Sequence, residues 1–230
     1  YFNIELGDRV IYSGVNQPLN WSYLVPLDPF IISVFNFGAP SNNDNHAIDI
    51  SFIVKPNDRF RIIGKAIIDE FGVDAADRVY SDDDYGIQIS SILDTDNDYM
   101  KQIAINYIYN SDYLGIHHSK STNFEIQGLP IFSVFGPQTR RIEVVNNFFL
   151  VNEKIKGWIA FYWQSQGKNR ILGTPWNARA TTSDHESWEI ERGIDAEIFF
   201  QINERYNSFM YINISDTSSP LFEISLAYSI

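Results

Sequence analysis

The chain has 230 residues and no cysteine, which excludes disulfide scaffolds, cysteine-based zinc sites and thiol chemistry. Its 44% hydrophobic and 15% aromatic content is too high for a disordered tail. With 29 Asp+Glu against 17 Lys+Arg, a net charge of -12, it is a poor partner for nucleic acid, whose phosphates are neutralised by Lys and Arg.

No run approaches the roughly 18 uninterrupted apolar residues of a spanning helix. A β-barrel stays open, because its strands cross a bilayer on alternating residues and their hydropathy looks soluble. The chain starts at Tyr1 with neither an initiator Met nor a basic-then-apolar leader, so it reads as a processed or truncated piece.

From about Asn45 the chain falls into runs of roughly ten residues in which apolar and polar side chains alternate, the period-two signature of a strand with two unlike faces. The first places Ile48, Ile50, Phe52 and Val54 on one face and Ala47, Asp49 and Ser51 on the other. The next places Phe60, Ile62, Gly64, Ala66 and Ile68 opposite Arg59, Arg61, Lys65 and Asp69. Ile63 and Ile67 break that alternation, so a helix capped by Asn57 or Asp58 competes with the strand, which its strand-like neighbours favour.

Tyr85, Ile87 and Ile89 alternate with Gln88 and Ser90, then Ile103, Ile105, Tyr107 and Tyr109 with Gln102, Ala104 and Asn106. Ile142, Val144, Phe148 and Leu150 face away from Arg141, Glu143 and Asn147. Ile155, Gly157, Ile159, Phe161 and Trp163 face away from Lys156, Trp158, Tyr162 and Gln164. The clearest run sets Trp188, Ile190, Ile194, Ala196, Ile198 and Phe200 against Glu189, Glu191, Asp195, Glu197 and Gln201. Short strands around Met210 to Ile214 and Phe222 to Ile230 close the chain, giving nine strands from Asn45 onward and one to three before it.

The connections alternate in length. Lys55 to Asp58, Asp94 to Asp98, Val151 to Lys154 and Asn203 to Asn207 are short and rich in turn formers. Gly72 to Asp84, Asn110 to about Thr139 and Ser165 to about Glu186 are long. A meander with tight turns at one end and loops at the other does this, as outer-membrane barrels do, and only Ser215 to Pro220 is a short link on the loop side. The fold class expected is therefore all-β: an antiparallel up-and-down transmembrane β-barrel with about 10–12 strands in this chain and one domain over 1–230, either an N-terminally truncated part of a larger barrel or a smaller closed one. A soluble β-sandwich, lectin-like or capsid-like, is the competing architecture.

Two features separate them. The apolar face of each run avoids charge with few exceptions, and Arg192, on that face, lies near the loop end, where a snorkelling side chain is cheap. Tyr85, Tyr109, Trp163, Trp188 and Tyr228 fall on the same apolar phase near strand ends, where amphipathic rings mark an interface. The ending Tyr228-Ser229-Ile230 resembles the C-terminal signal of outer-membrane proteins, with Ile where Phe is usual.

The order Gly7-Asp8-Arg9-Val10-Ile11-Tyr12-Ser13-Gly14, then Leu19-Asn20-Trp21-Ser22-Tyr23-Leu24-Val25-Pro26 with Pro29-Phe30, then Asn43-Asp44-Asn45 and Ile67-Ile68-Asp69-Glu70-Phe71, resembles the C-terminal half of the Wzi-like capsule-assembly outer-membrane barrels. Asn106-Tyr107-Ile108-Tyr109-Asn110, His117 and Gly136-Pro137 continue in the same order. The resemblance spans nearly the whole chain on short, degenerate motifs. It implies a bacterial outer-membrane, cell-surface location, with lipid, lipopolysaccharide and capsular polysaccharide as partners. A porin for small solutes is the alternative within the same architecture. No loop residue carries over from the family as a sugar site.

No catalytic pattern is evident: the chain has no Gly-x-Ser-x-Gly elbow, His-Glu-x-x-His or phosphate-binding glycine loop. No enzyme activity, metal or cofactor is expected. His117-His118 reads as loop polarity, because neighbours in extended chain point apart, and Asp82-Asp83-Asp84 reads as solvated. Asp94-Thr95-Asp96-Asn97-Asp98 reads as a polar turn, since Tyr99 stands where a calcium loop needs glycine. The carboxylates Glu189, Glu191, Asp195 and Glu197 raise the question of a glycosidase. They share a face with Arg59, Arg61, Lys65, Asp69, Arg141, Glu143 and Lys156, so charge lining a lumen is the expected role. Trp158, Tyr162 and Trp176 are the candidates for stacking on sugar rings, and equally for packing against loops folded inward.

Overall fold

The structure is a computed structural model that describes residues 1–11, 45–69, 84–111, 114, 125–126, 129–130, 138–150, 154–167, 188–201 and 206–228. At the strand-end residues 8–11, 45–46, 69, 84, 206 and 226–228, and in 125–126 and 129–130, the description extends to the backbone only. Those residues form twelve strands: β1 (Phe2–Ile11), β2 (Asn45–Val54), β3 (Phe60–Asp69), β4 (Asp84–Asp94), β5 (Met100–Asn110), β6 (Glu125–Ile126), β7 (Leu129–Pro130), β8 (Thr139–Leu150), β9 (Ile155–Gly167), β10 (Trp188–Gln201), β11 (Tyr206–Ser215) and β12 (Leu221–Tyr228).

Ten of them make one antiparallel sheet in the order β1-β2-β3-β4-β5-β8-β9-β10-β11-β12, so every long strand pairs with its neighbours in sequence. The short β6–β7 hairpin lies in the β5–β8 connection and was not foreseen from the sequence, where no alternation marks it. Among the described residues β1 and β12 each have one partner, so the sheet is not closed into a barrel. The nine strands expected from Asn45 onward are the nine long ones observed there.

The run that might have been a helix is β3, paired with β2 on one side and β4 on the other. Its would-be cap makes a turn instead: Asn57 Oδ1 accepts hydrogen bonds from the backbone N–H of Arg59 (3.0 Å) and of Phe60 (2.9 Å). Asn97 does the same between β4 and β5, accepting from Tyr99 N–H (2.8 Å) and Met100 N–H (3.0 Å), which makes the acidic Asp94 to Asp98 run a turn.

Register carries the two faces across all ten strands, with one slip of phase at the start of β5. Ile105 stands opposite Val144, which stands opposite Phe161, which stands opposite Ile194, and this row continues to Ile214. One residue along each strand, Asn106 stands opposite Glu143, Glu143 opposite Tyr162, and Tyr162 opposite Gly193. A register shift between Met100 and Gln102 leaves Lys101 as the extra residue of a bulge.

The burial of the two faces is inverted relative to a soluble domain. On the apolar face Ile105 is 53% exposed and Phe161 54%, with Ile142, Val144, Ile190 and Ile224 also exposed. On the polar face Arg141 is 6% exposed, and Asp49, Gln164 and Tyr162 are buried with it. Side chains of the polar face that reach across strands cover one another, as Arg141 does with Gln164, Tyr162 and Asp195, and those of the apolar face have no second layer among the described residues. The two residues that broke the alternation of β3 both lie on the polar face, where Ile67, Ile108 and Leu114 of the β5–β8 connection are all buried around one small cavity.

Candidate functional site

The polar face holds a network of side chains drawn from five strands. Arg141 on β8 donates from Nε to Glu143 Oε2 (2.8 Å) and from Nη1 to Gln164 Oε1 on β9 (3.1 Å). Its guanidinium lies 4.0 Å from the centroid of the Tyr162 ring and reaches across β9 to Asp195 Oδ2 on β10 at 3.0 Å. Asp195 Oδ1 also accepts from Asn213 Nδ2 (2.5 Å) and from the Tyr211 hydroxyl (3.2 Å), both on β11. On the other flank Asn106 of β5 donates from Nδ2 to Glu143 Oε1 (2.8 Å).

The side chains of this ion triad are 7%, 16% and 14% exposed for Arg141, Glu143 and Asp195, so water screens them poorly. Such a pair adds little net stability compared with an apolar replacement, but leaving one member unpaired is costly. Its clearest physical effect is on register. A slip of two residues keeps the faces but moves Arg141 by roughly 6–7 Å, out of reach of Asp195.

Gly193 makes the crossing possible. It stands directly opposite Tyr162, whose hydroxyl lies over it and donates to Glu191 Oε1 at 3.0 Å. A Cβ on Gly193 would meet that hydroxyl and the Ile214 carbonyl oxygen. Gly193→Ala is therefore expected to cost about 1–3 kcal/mol, as overpacking does. The urea midpoint of refolded protein measures this, and an unchanged midpoint would show that the Tyr162–Glu191 bond is dispensable.

Toward the short turns the same face opens into a groove of about 550 Å³, lined by Trp158, Phe199, Lys156, Lys101, Gln102 and Asn147 among others. Trp158 donates from Nε1 to Glu197 Oε2 (3.3 Å), and Lys156 Nζ lies 4.9 Å over the Phe199 ring. A chain of polar groups borders it: Asn147 Nδ2 donates to Gln102 Oε1 (2.8 Å), Gln102 Nε2 to Asp94 Oδ1 (2.7 Å), and Arg61 Nη1 to Asp94 Oδ2 (2.9 Å). An aromatic wall edged by amides and ammonium groups suits a ligand with apolar ring faces and many hydroxyls. Toward the loops the buried Leu114 side chain covers Gly86 beside Lys65 and Gln88, while Gln88 and Glu189 stay exposed.

The charged residues expected to share one face divide into separate groups. Arg141, Glu143 and Asp195 form the central triad, with Glu191 joined to it through Tyr162. Lys156 and Glu197 belong to the groove, and Arg61 borders it through Asp94. Lys65 and Glu189 hold the polar phase on β3 and β10. Asp69 has that phase at the end of β3, described by its backbone alone. Arg59 lies in the turn before β3, where it pairs with Asp96 at 2.6 Å in solvent.

Of the stacking candidates, Trp158 lines the groove, whereas Tyr162 is buried with its ring against Arg141. Trp176, His117, His118 and His185 lie outside the described residues, as do Asp82 and Asp83. Tyr211, Asn213, Asn106 and Gln102 entered the site unannounced, because an uncharged polar residue in a strand gives no signal beyond its phase. No family model matches the chain, and no curated protein or solved structure matches it.

Proposed function

We propose that this chain forms the wall of a bacterial outer-membrane β-barrel that anchors or passes surface polysaccharide, as its resemblance to capsule-assembly barrels implies. The observation that carries the membrane part is the inverted burial of the sheet, with Ile105, Val144 and Phe161 exposed and Arg141 and Asp49 buried. Ten strands at ~4.8 Å spacing and ~33 Å length give an apolar face on the order of 1,500 Å². The largest apolar patch on a typical soluble monomer is about 300–600 Å².

Strand length supports the same reading. β2 and β3 have 10 residues each, β4 and β5 have 11, β8 to β10 have 12 to 14 and β12 has 8, against about 5–6 in ordinary sheets and about 9–11 for a tilted membrane-crossing strand. In a bilayer no sheet edge can stay open, so the edges β1 and β12 must be covered. They run antiparallel to each other, as closure of an even meander requires, and the barrel closes between them directly or through further strands. The polysaccharide part draws on the resemblance and on the groove around Trp158, whose aromatic wall and amides fit sugar rings.

Fractionation and electrophoresis test the first part. The protein is expected in the outer-membrane fraction, extractable only with detergent, with a heat-modifiable mobility on gels. A chain that is soluble and monomeric without detergent would overturn the reading. Deletion of the gene is then expected to reduce surface-retained capsule, whereas intact capsule together with high conductance in planar bilayers would favour a solute porin.

A further inference from the structure

The apolar face carries two exposed cations at its loop-side end, Arg140 on β8 and Arg192 on β10. On a lipid-facing wall an arginine costs about 2–4 kcal/mol at the midplane and close to nothing at the rim, so their place near the strand ends is itself informative. Arg140 is also held in position. Its guanidinium lies 5.6 Å from the centroid of the Tyr109 ring on β5 and 4.9 Å from that of Trp188 on β10.

To reach Trp188 the side chain of Arg140 crosses β9 where the opposing residues are small. Ser165 stands opposite Arg140, and Gly167 stands opposite Trp188. The Tyr85 ring backs this arrangement, 5.3 Å from that of Tyr109. Arg192 stands opposite Trp163 in the register, and the Asp216 carboxylate accepts from its backbone N–H at 2.8 Å. Among the described residues no carboxylate lies within ion-pair distance of either guanidinium. Arg141, one residue from Arg140 on the other face, shows the contrast with its two carboxylate partners.

A guanidinium held by ring faces keeps its in-plane N–H donors for another acceptor, and a planar fork matches the two oxygens of a phosphate. One row further toward the middle of the sheet than Arg140, Ile142 stands in line with Trp163 and Arg192, and in the next row Val144 stands opposite Phe161, all of them exposed. The surface changes character along the strands: Arg140 with its two rings lies outermost, Arg192 in the row of Ile142 and Trp163, and only apolar side chains follow in the next row. From this we infer that Arg140 and Arg192, with Tyr109, Trp163 and Trp188, bind the phosphate of a lipid headgroup whose acyl chains lie along Ile142, Val144 and Phe161. The inference rests on the barrel reading above and names a lipid site on its outer wall.

The test uses the full chain refolded in dodecyl maltoside, with dimyristoyl-phosphatidylglycerol and the matching diacylglycerol as probes in native mass spectrometry. Phosphatidylglycerol is expected to be retained in preference to diacylglycerol. Arg140→Gln and Arg192→Gln are each expected to weaken its retention about fivefold, as the loss of one surface cation near anionic lipid does. Arg140→Lys, which keeps the charge and loses the fork, should fall between wild type and Arg140→Gln. Millimolar inorganic phosphate is expected to leave the lipid in place, and its displacement would reassign the site to free anions and overturn the inference. Equal retention by wild type and the R140Q/R192Q double variant, both with heat-modifiable mobility, would overturn the lipid site alone. A wild-type chain that is monomeric and soluble in buffer would overturn the barrel reading and the site with it.

Discussion

Ile105→Arg is expected to destabilise the protein by about 2–4 kcal/mol in lipid vesicles, although it replaces a side chain that is 53% exposed. In a soluble sheet a charge at so exposed a position stays within about 0.5 kcal/mol of wild type. The sign of the experiment therefore depends on the solvent that the apolar face meets. Ile105 is the choice because it lies midway along β5, opposite Val144 on β8 and Ser91 on β4, as far as a residue can be from either rim. Tyr99→Arg, in the turn before β5, is the control, expected to cost about 0–1 kcal/mol because the interface tolerates a cation. Urea titrations of vesicle-inserted protein, followed by tryptophan fluorescence, measure both. Equal midpoints for the two variants would mean that the exposed apolar face does not meet hydrocarbon.

Arg141→Met is expected to cost about 3–5 kcal/mol, the penalty for leaving buried carboxylates without their cation. Glu143 and Asp195 would both lose it, at positions where their side chains are only 16% and 14% exposed. Met fills a similar volume, so a packing defect contributes little. Adding Asp195→Asn to Arg141→Met is expected to recover part of the loss, because the second substitution removes one of the stranded charges. The two changes are strongly non-additive, as expected for groups in one network. Equilibrium unfolding of the two single variants and the double gives the coupling directly. A loss below about 1 kcal/mol for Arg141→Met would mean that water reaches the triad freely, and that the polar face is open where it looks closed.

The strand phases were legible because they depend on one residue's relation to the next. In β10 the alternation from Trp188 to Gln201 assigns each side chain to a face before any partner strand is known. The turn positions were legible for a similar reason, since Asn57 and Asn97 act within three residues of themselves. Long-range contacts were not. Arg141 and Asp195 are 54 residues apart, and nothing local to either points to the other. Gly193 reads as a weak point in a strand until Tyr162 is seen to lie over it. Arg59 has the right phase for the polar face but falls one residue before β3, where a turn sends it to Asp96 instead.

The groove shows the limit most plainly. Trp158 and Lys156 announced themselves by residue type, but the cavity they line needs Gln102, Asn147 and Lys101 from two other strands. Lys101 takes part because a bulge interrupts the pairing of β5 with β8, and no residue type marks that bulge in the sequence. The lipid-site inference depends likewise on a match between strands: Arg140 stands opposite Ser165 on β9 and reaches the Trp188 ring on β10, an arrangement that exists only in the observed register.

Without any partner, the sequence settles that this chain makes long amphipathic strands joined by tight turns at one end and long connections at the other. Period-two alternation and turn chemistry are local properties, so they survive the absence of every tertiary contact. Tertiary structure alone decides which strand residue meets which, and hence that one cation bridges β8 to β10, that Leu114 is buried over Gly86, and that side chains such as Ile105 and Phe161 are left exposed. The physical reason is that faces repeat every two residues, so many registers satisfy the same pattern. Close contacts such as Arg141 with Asp195, and Tyr162 over Gly193, form in only one of them.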